Sequence, residues 1–171
     1  CQMHASVMDE LEAKSQFTIN EKIIFSDDKI LYEAEHGSKL ADHFIDDFIH
    51  APNIKLLEFV NNVYRTGNEL SFKAKKLYNS NGEFDRHSPI FFIEKTTSRY
   101  TLKAKILYQT INEVDVETTH WQLIDNRNNK SIAEWKDNSM RQYISSDCNA
   151  PKYTKIPSKF PKLIKFISNK D

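Results

Sequence analysis

The sequence predicts an α+β fold: two helices packed on a mixed sheet that ends in an antiparallel three-stranded meander. Three observations carry this. From Arg99 onward, Tyr100, Leu102, Ala104, Ile106 and Tyr108 alternate with Thr101, Lys103, Lys105 and Gln109. A period of two describes a strand with one face buried and one face wet. Leu40, Ala41, Phe44, Ile45, Phe48 and Ile49 make one wide apolar stripe at helical spacing, with Ser38 as its N-cap and Pro52 as its stop. Thr66 and Glu69 then stand in capping-box spacing ahead of Leu70, Ala74 and Leu77. That pattern predicts a second helix ending near Asn79 to Gly82, where glycine is a C-cap signal.

The remaining elements follow in chain order. Gln2 to Lys14 carry Met3, Val7, Met8 and Leu11 at helical spacing, which reads as a short helix or a tether with helical tendency. FTINEKIIF and KILYEAE flank Ser26-Asp27-Asp28, which predicts a hairpin, with Ile23, Ile24 and Phe25 as the first buried strand. IKLLEFV is a nearly continuous apolar run of the kind buried on both faces. Pro89 introduces a further apolar run, IFFIE, before the meander. The meander itself is RYTLKAKILYQTI, VETTHWQLID and SIAEWKD, with Asn126 to Lys130 closing its last hairpin.

The chain divides into an N-terminal segment 1–16, a single α+β domain 17–150 and a basic tail 151–171. The tail contains Pro151, Pro157 and Pro161 among six lysines, with Asp171 as its acid. Proline at that density argues against regular helix through most of it. The tail either lies along the body, its aromatics filling grooves, or meets an anionic surface. A chain of 171 residues can bury a core without metal or disulfide. Its 24 basic and 24 acidic residues cancel, so no global field draws it to nucleic acid. The mean hydropathy of -0.63 and the absence of any apolar run near the ~20 residues of a membrane span predict a soluble body.

Residues with chemical potential are few. His43, Asp47 and His50 share one side of the first predicted helix, a spacing at which zinc can bind, but no HExxH or CxxC accompanies them. They read equally as a solvated face. Cys148 and His120 form the one thiol–imidazole combination, and nothing around Cys148 lowers a thiol pKa. Nucleophile elbows and phosphate-binding glycine loops are absent, and three glycines could hardly build the latter. No catalytic residue, metal or cofactor is therefore predicted, and the chain is read as a non-enzyme.

Cys1 opens three alternatives. Bacterial lipoproteins carry lipid on a leading cysteine, which would make 1–16 a lipid-anchored segment, and Gln2 beside it favours the outer membrane by the usual sorting pattern. Acyl chains contribute about 0.8 kcal/mol per buried CH₂, so such an anchor holds. Cys1 could instead pair with Cys148 in an oxidising compartment, or simply mark a chain boundary. Tyr100, Lys103, Lys105, Trp121 and Trp135 are the candidate partner-binding residues, although both tryptophans also suit core or edge packing. The meander's sheet edge and the helix pair are the predicted contact surfaces, since edge pairing is a common recognition mode.

TTHWQLIDNRNNKSIAEWKD resembles the closing hairpin of a group of envelope lipoproteins. Its matching residues are Leu123, Ile124, Asp125, Ile132 and Trp135. LADHFIDDFIHAPNIKLLEFV is similar to that group's helix and strand, NELSFKAKKLYNS to its second helix, and RYTLKAKILYQTI to its first long meander strand. The group comprises the penicillin-binding-protein activator lipoproteins of the B type and the N-terminal part of the curli secretion channel lipoprotein. The likeness runs from about Ile23 to Asp137. It implies a non-catalytic, periplasm-facing outer-membrane lipoprotein that binds a penicillin-binding protein or a secretion component and supports it. Two other readings stand beside it: a secreted or periplasmic inhibitor or immunity protein that plugs an enzyme, and a small cone-shaped α+β enzyme with carboxylates lining a deep pocket.

Overall fold

The computed structural model describes residues 2–34, 42–61, 71–140 and 158–170. It is mostly sheet, and the predicted architecture is overturned. The ordered elements are α1 (Gln2–Ala13), β1 (Thr18–Ile19), β2 (Lys29–Ala34), α2 (Asp42–Asp47) running into a 3-10 turn (Phe48–His50), β3 (Leu56–Asn61), β4 (Ser71–Lys76), β5 (Ile90–Ile93), β6 (Tyr100–Ile111), β7 (Val114–Asp125), β8 (Lys130–Met140) and α3 (Phe160–Ile167). All eight strands form one mixed sheet in the order β1-β8-β7-β6-β2-β3-β4-β5. The run β6-β7-β8 is thus one half of a larger sheet rather than the end of a smaller one.

β2 is the strand on which the two halves meet. It pairs parallel with β3 on one side and with β6 on the other, while all other pairings are antiparallel. Ile30, Leu31, Tyr32 and Ala34 are buried, so both faces of this strand are covered. A parallel neighbour requires a crossover, and α2 with its 3-10 turn supplies the one from β2 to β3.

The predicted second helix is the largest correction. Ser71–Lys76 is β4, antiparallel to β3 from Leu56↔Lys76 to Asn61↔Ser71. Thr66 to Leu70 lie outside the described residues. Ala74 and Leu77 fit a helical stripe, but Phe72 and Ala74 also alternate with Lys73 and Lys75, and the ladder to β3 decides between the two periods. Gly82, read as a helix C-cap, has φ +77 in the turn after β4, where Asn79 Oδ1 accepts the backbone N–H of Asn81 and Glu83 at 2.9 and 3.0 Å.

The predicted first hairpin does not form. Thr18–Ile19 pairs with β8 at one end of the sheet, and Lys29–Ala34 lies in its interior. Between them Ile23 to Phe25 is not a strand: Ile24 is 79% exposed, whereas Phe25 is buried and stacks on Tyr100 at 4.3 Å. The Phe25 backbone finds its partners in a side chain instead. Asn169 Oδ1 accepts its N–H at 2.8 Å, and Asn169 Nδ2 donates to its carbonyl at 3.0 Å.

The predicted first helix gives way to a 3-10 turn at Phe48–His50. Ser38 to Ala41 lie outside the described residues, Phe48 is fully buried, and Ile49 turns outward. The basic tail corrects in the opposite direction, since Phe160–Ile167 is helical. Phe160, Leu163, Ile164 and Ile167 recur at i, i+3, i+4 and i+7 and are all buried, with Lys162 and Lys165 outside. Pro161 sits in the first turn, where a missing N–H costs no helical bond.

α3 and α2 cover one face of the sheet. There Trp121 and Trp135, directly opposite on β7 and β8, stack at 5.5 Å and 4°. Phe160 sits edge-on to both, at 6.0 and 6.4 Å, and stacks on Phe44 at 4.6 Å. At the sheet's end the buried Glu58 carboxylate accepts the backbone N–H of Thr97 and Ser98 and the Ser98 hydroxyl, fixing the entry to β6.

Phe160 joins the tail to the sheet, so Phe160→Ala is expected to cost about 3–5 kcal/mol. Ile24→Ala, at a solvated site, should stay within about 0.5 kcal/mol. Urea denaturation of both variants checks the contrast.

Candidate functional site

On the face of the sheet opposite α2 and α3, α1 packs Val7 against Val114 and Val116 at one end and Leu31, Glu58 and Thr101 are buried at the other, and two of the five candidate residues lie exposed between them. Alternation along β6 puts Tyr100, Leu102 and Ala104 under the helices and turns Lys103 and Lys105 to the opposite, exposed side. Tyr100, Trp121 and Trp135 are buried on the helix-covered side. The structure therefore separates the predicted set: three residues build the core and two face solvent. Cys1 lies outside the described residues.

Cross-strand register supplies the neighbours of the two lysines. Lys105 is opposite His120, and His120 is opposite Lys136; Lys103 is opposite Gln122, and Gln122 is opposite Glu134. Directly opposed residues point to the same face. Two rows thus cross β6, β7 and β8, one of them with a lysine at either end. Glu33 on β2 stands beside Lys103, and His120 Nε2 lies 3.1 Å from Glu134 Oε2. His120, Gln122 and Lys136 were not singled out by sequence for this surface.

The predicted contact surfaces are displaced. The outer edge of β8 is occupied: Thr18 and Ile19 pair with Glu134 and Ala133, and Lys136 N–H donates to the Ser15 carbonyl at 3.1 Å. The helix pair does not exist, because its second member is β4. Among the described residues the free edge belongs to β5, the last strand at the far end, where Phe92 is 74% and Ile90 58% exposed.

The other sequence candidates assemble no chemistry among the described residues. Asp47 and His50 line a shallow groove of about 380 Å³ with Pro161, Ile164, Lys165, Ser168 and Lys170. No group of three or more His, Cys, Asp or Glu among the described residues is placed to hold a metal. Cys148 lies outside the described residues, and His120 belongs to the open face.

One buried polar cluster binds the chain's two ends to β8. Lys159 Nζ is 2.5 Å from Glu12 Oε1 and donates to the Lys136 carbonyl at 2.8 Å. Asp137 stands beside this pair, and burial pushes its carboxyl pKa up. Lys159 and the indole N–H groups of Trp135 and Trp121 oppose that shift, while Glu12 adds to it. Neither indole N–H reaches a partner at full hydrogen-bond geometry, so both serve Asp137 as partial positive charges.

No protein-family model and no curated protein matches the chain. Among solved structures, a PelC variant dodecamer from Paraburkholderia phytofirmans in space group C2 is similar with TM-score 0.34 and 12% identity, over 74% of this chain and 79% of that chain. A PelC dodecamer from the same organism in space group P6 gives TM-score 0.33 and 12% identity, over 74% and 82%. Likeness at this level carries no argument for fold or function, and it does not bear on the envelope-lipoprotein resemblance.

The Asp137 shift gives a pH dependence with a definite sign. A carboxyl whose folded pKa is raised binds its proton more tightly in the native state, so its contribution to stability falls as pH rises above 3.8 through the raised value. Asp137→Asn removes this slope. Urea midpoints of the variant relative to the parent should therefore improve between pH 3 and pH 7, with the change confined to that acidic window.

Proposed function

We propose that this domain is a non-catalytic component of the bacterial envelope that binds another envelope protein on the exposed, lysine-bearing patch of its sheet. The observation that carries the binding reading is the two-row surface across β6, β7 and β8, with Lys103 and Lys105 exposed on the side opposite α2 and α3. Lys103, Lys105 and Lys136 outweigh Glu33 and Glu134 there, so the complementary partner presents an acidic patch. Opposed charge steers such an encounter and fixes its register. The rigid ladder beneath holds the side chains in place, as a binding surface requires.

The envelope location rests on the resemblance of the first helix, the buried strand and the closing hairpin to the activator and secretion-channel lipoproteins. Support of a cell-wall synthase or of a secretion assembly is the role that resemblance implies. Lipid at Cys1 is the accompanying expectation.

Two measurements test this reading. A photoreactive residue at position 103, introduced in the producing cells, should capture one predominant envelope protein. Lys103→Glu with Lys105→Glu should reduce a capture made from position 122 by about tenfold, the effect of ~1.4 kcal/mol lost from a charge-complementary contact. Equal capture by the charge-reversed chain would sink the proposal. For the anchor, intact mass of protein taken from its native membrane should exceed the polypeptide by glycerol and two or three acyl chains. A mass equal to the bare polypeptide removes the lipid, and a loss of two hydrogens points to a Cys1–Cys148 bridge.

A further inference from the structure

β5 is an unusual strand to leave at the rim of a sheet. It consists of Ile90, Phe91, Phe92 and Ile93 and contains no charged side chain. Ile90 is 58%, Phe91 38% and Phe92 74% exposed, and among the described residues its pairing partner is β4 alone. Soluble proteins usually blunt such an edge with lysine, proline or a bulge, because its open backbone groups template a further strand. Here a cation comes from the neighbouring strand, where Lys73 Nζ lies 5.0 Å from the centroid of the Phe92 ring. At the far end of the sheet β1 is two residues long and offers no comparable edge.

We propose that β5 pairs with β5 of a second copy of this chain, antiparallel and across a two-fold axis at Phe91, joining two sheets into one. The choice of a second copy follows from the strand's own symmetry. A two-fold perpendicular to the sheet preserves its faces, so it must pass through a residue rather than between two residues. Centred on Phe91, it sets Phe91 against Phe91 of the second copy, and Ile90 against Phe92 in both directions. Each pair is apolar, and such cross-strand pairs stabilise a ladder. The next position outward sets Ile93 against Pro89 and the one beyond it Glu94 against Ser88, so no like charges meet there. Centred on Phe92, the axis would oppose Glu94 to Ile90 instead, which strands a carboxylate against an aliphatic chain.

The neighbouring strands suit the Phe91 register. Ala74, fully buried on β4, is directly opposite Phe91 and leaves its ring room to lean inward. Lys73 and Lys75 flank Phe92 and Ile90 on the other face. Lys75 Nζ is held by the Ser88 carbonyl and hydroxyl at 2.7 and 2.9 Å, so its charge is kept off the seam. Pro89 has no N–H to offer and limits the new ladder to about the length of β5. A ladder that short makes a small interface, and the association is reversible.

Sedimentation of the unlipidated chain over a roughly thousandfold concentration range tests this. The weight-average mass should climb from 20.0 kDa toward twice that value and stop there. Phe91→Lys puts two ammonium groups face to face on the axis and should hold the chain monomeric, as should Ile90→Lys. Circular dichroism of both variants shows whether the fold is kept, and Ile24→Lys, at a solvated residue off the edge, should dimerise like the parent. In a chain with Cys1 and Cys148 replaced by Ser, Phe91→Cys should form an intermolecular disulfide readily and Ile93→Cys should not. Directly opposed residues lie about 4.5–5.5 Å apart, within disulfide reach. A monomer at every concentration, assembly beyond two copies, a dimer indifferent to both lysine substitutions, or faster bridging from position 93 would each overturn the proposal. The Lys103→Glu, Lys105→Glu chain should dimerise as the parent does, which keeps this seam separate from the lysine-bearing face.

Discussion

The parallel placement of β2 between β3 and β6 is the constraint on which the rest of this fold depends. Without it the chain would be two unrelated antiparallel sheets, β1-β8-β7-β6 and β3-β4-β5. β2 is six residues long and contacts both neighbours over four positions each. Such short ladders are weak alone, so the covering layer matters. Phe25 on Tyr100, Phe48 beneath the 3-10 turn, and Phe160 against the paired tryptophans press on the same side of the joint. Burial on both faces also explains why β2 and β3 carry apolar side chains in runs rather than in alternation.

How much of this was legible follows from which signals are local. The long strands were readable because Tyr100, Leu102 and Ala104 alternate with polar residues and a polar turn follows Asp125. The β4 segment was not, because Ala74 and Leu77 satisfy a helical period as well as Phe72 and Ala74 satisfy a strand. Only the ladder to β3 separates these, and that pairing is invisible in the segment itself. α3 was obscured by its prolines, although Phe160, Leu163, Ile164 and Ile167 held a helical stripe and Pro161 occupied the one turn that tolerates it.

The candidate surface was half legible for a comparable reason. Lys103 and Lys105 follow from the alternation of β6. His120 and Lys136 require the register of β7 on β8, and a bulge between Leu123 and Ile124 shifts that register by one. Counted straight from the turn, His120 would oppose Trp135 and the tryptophans would part. With the bulge, Trp121 meets Trp135 and His120 turns to the wet side with Lys136. One extra residue thus decides which side chains are core and which are surface.

The clamp of Asn169 on Phe25 spans nearly the whole chain, a separation of 144 residues. Lys159 reaches Glu12 in the same way, from the last element to the first. Contacts of that span give the native topology a high contact order and a slow search. They also make α3 a late arrival during synthesis, so the aromatic face of the sheet lacks its Phe160 cover until residues 160–167 have emerged. The segment 160–167, rather than the first helix, therefore sets the moment at which the aromatic face closes.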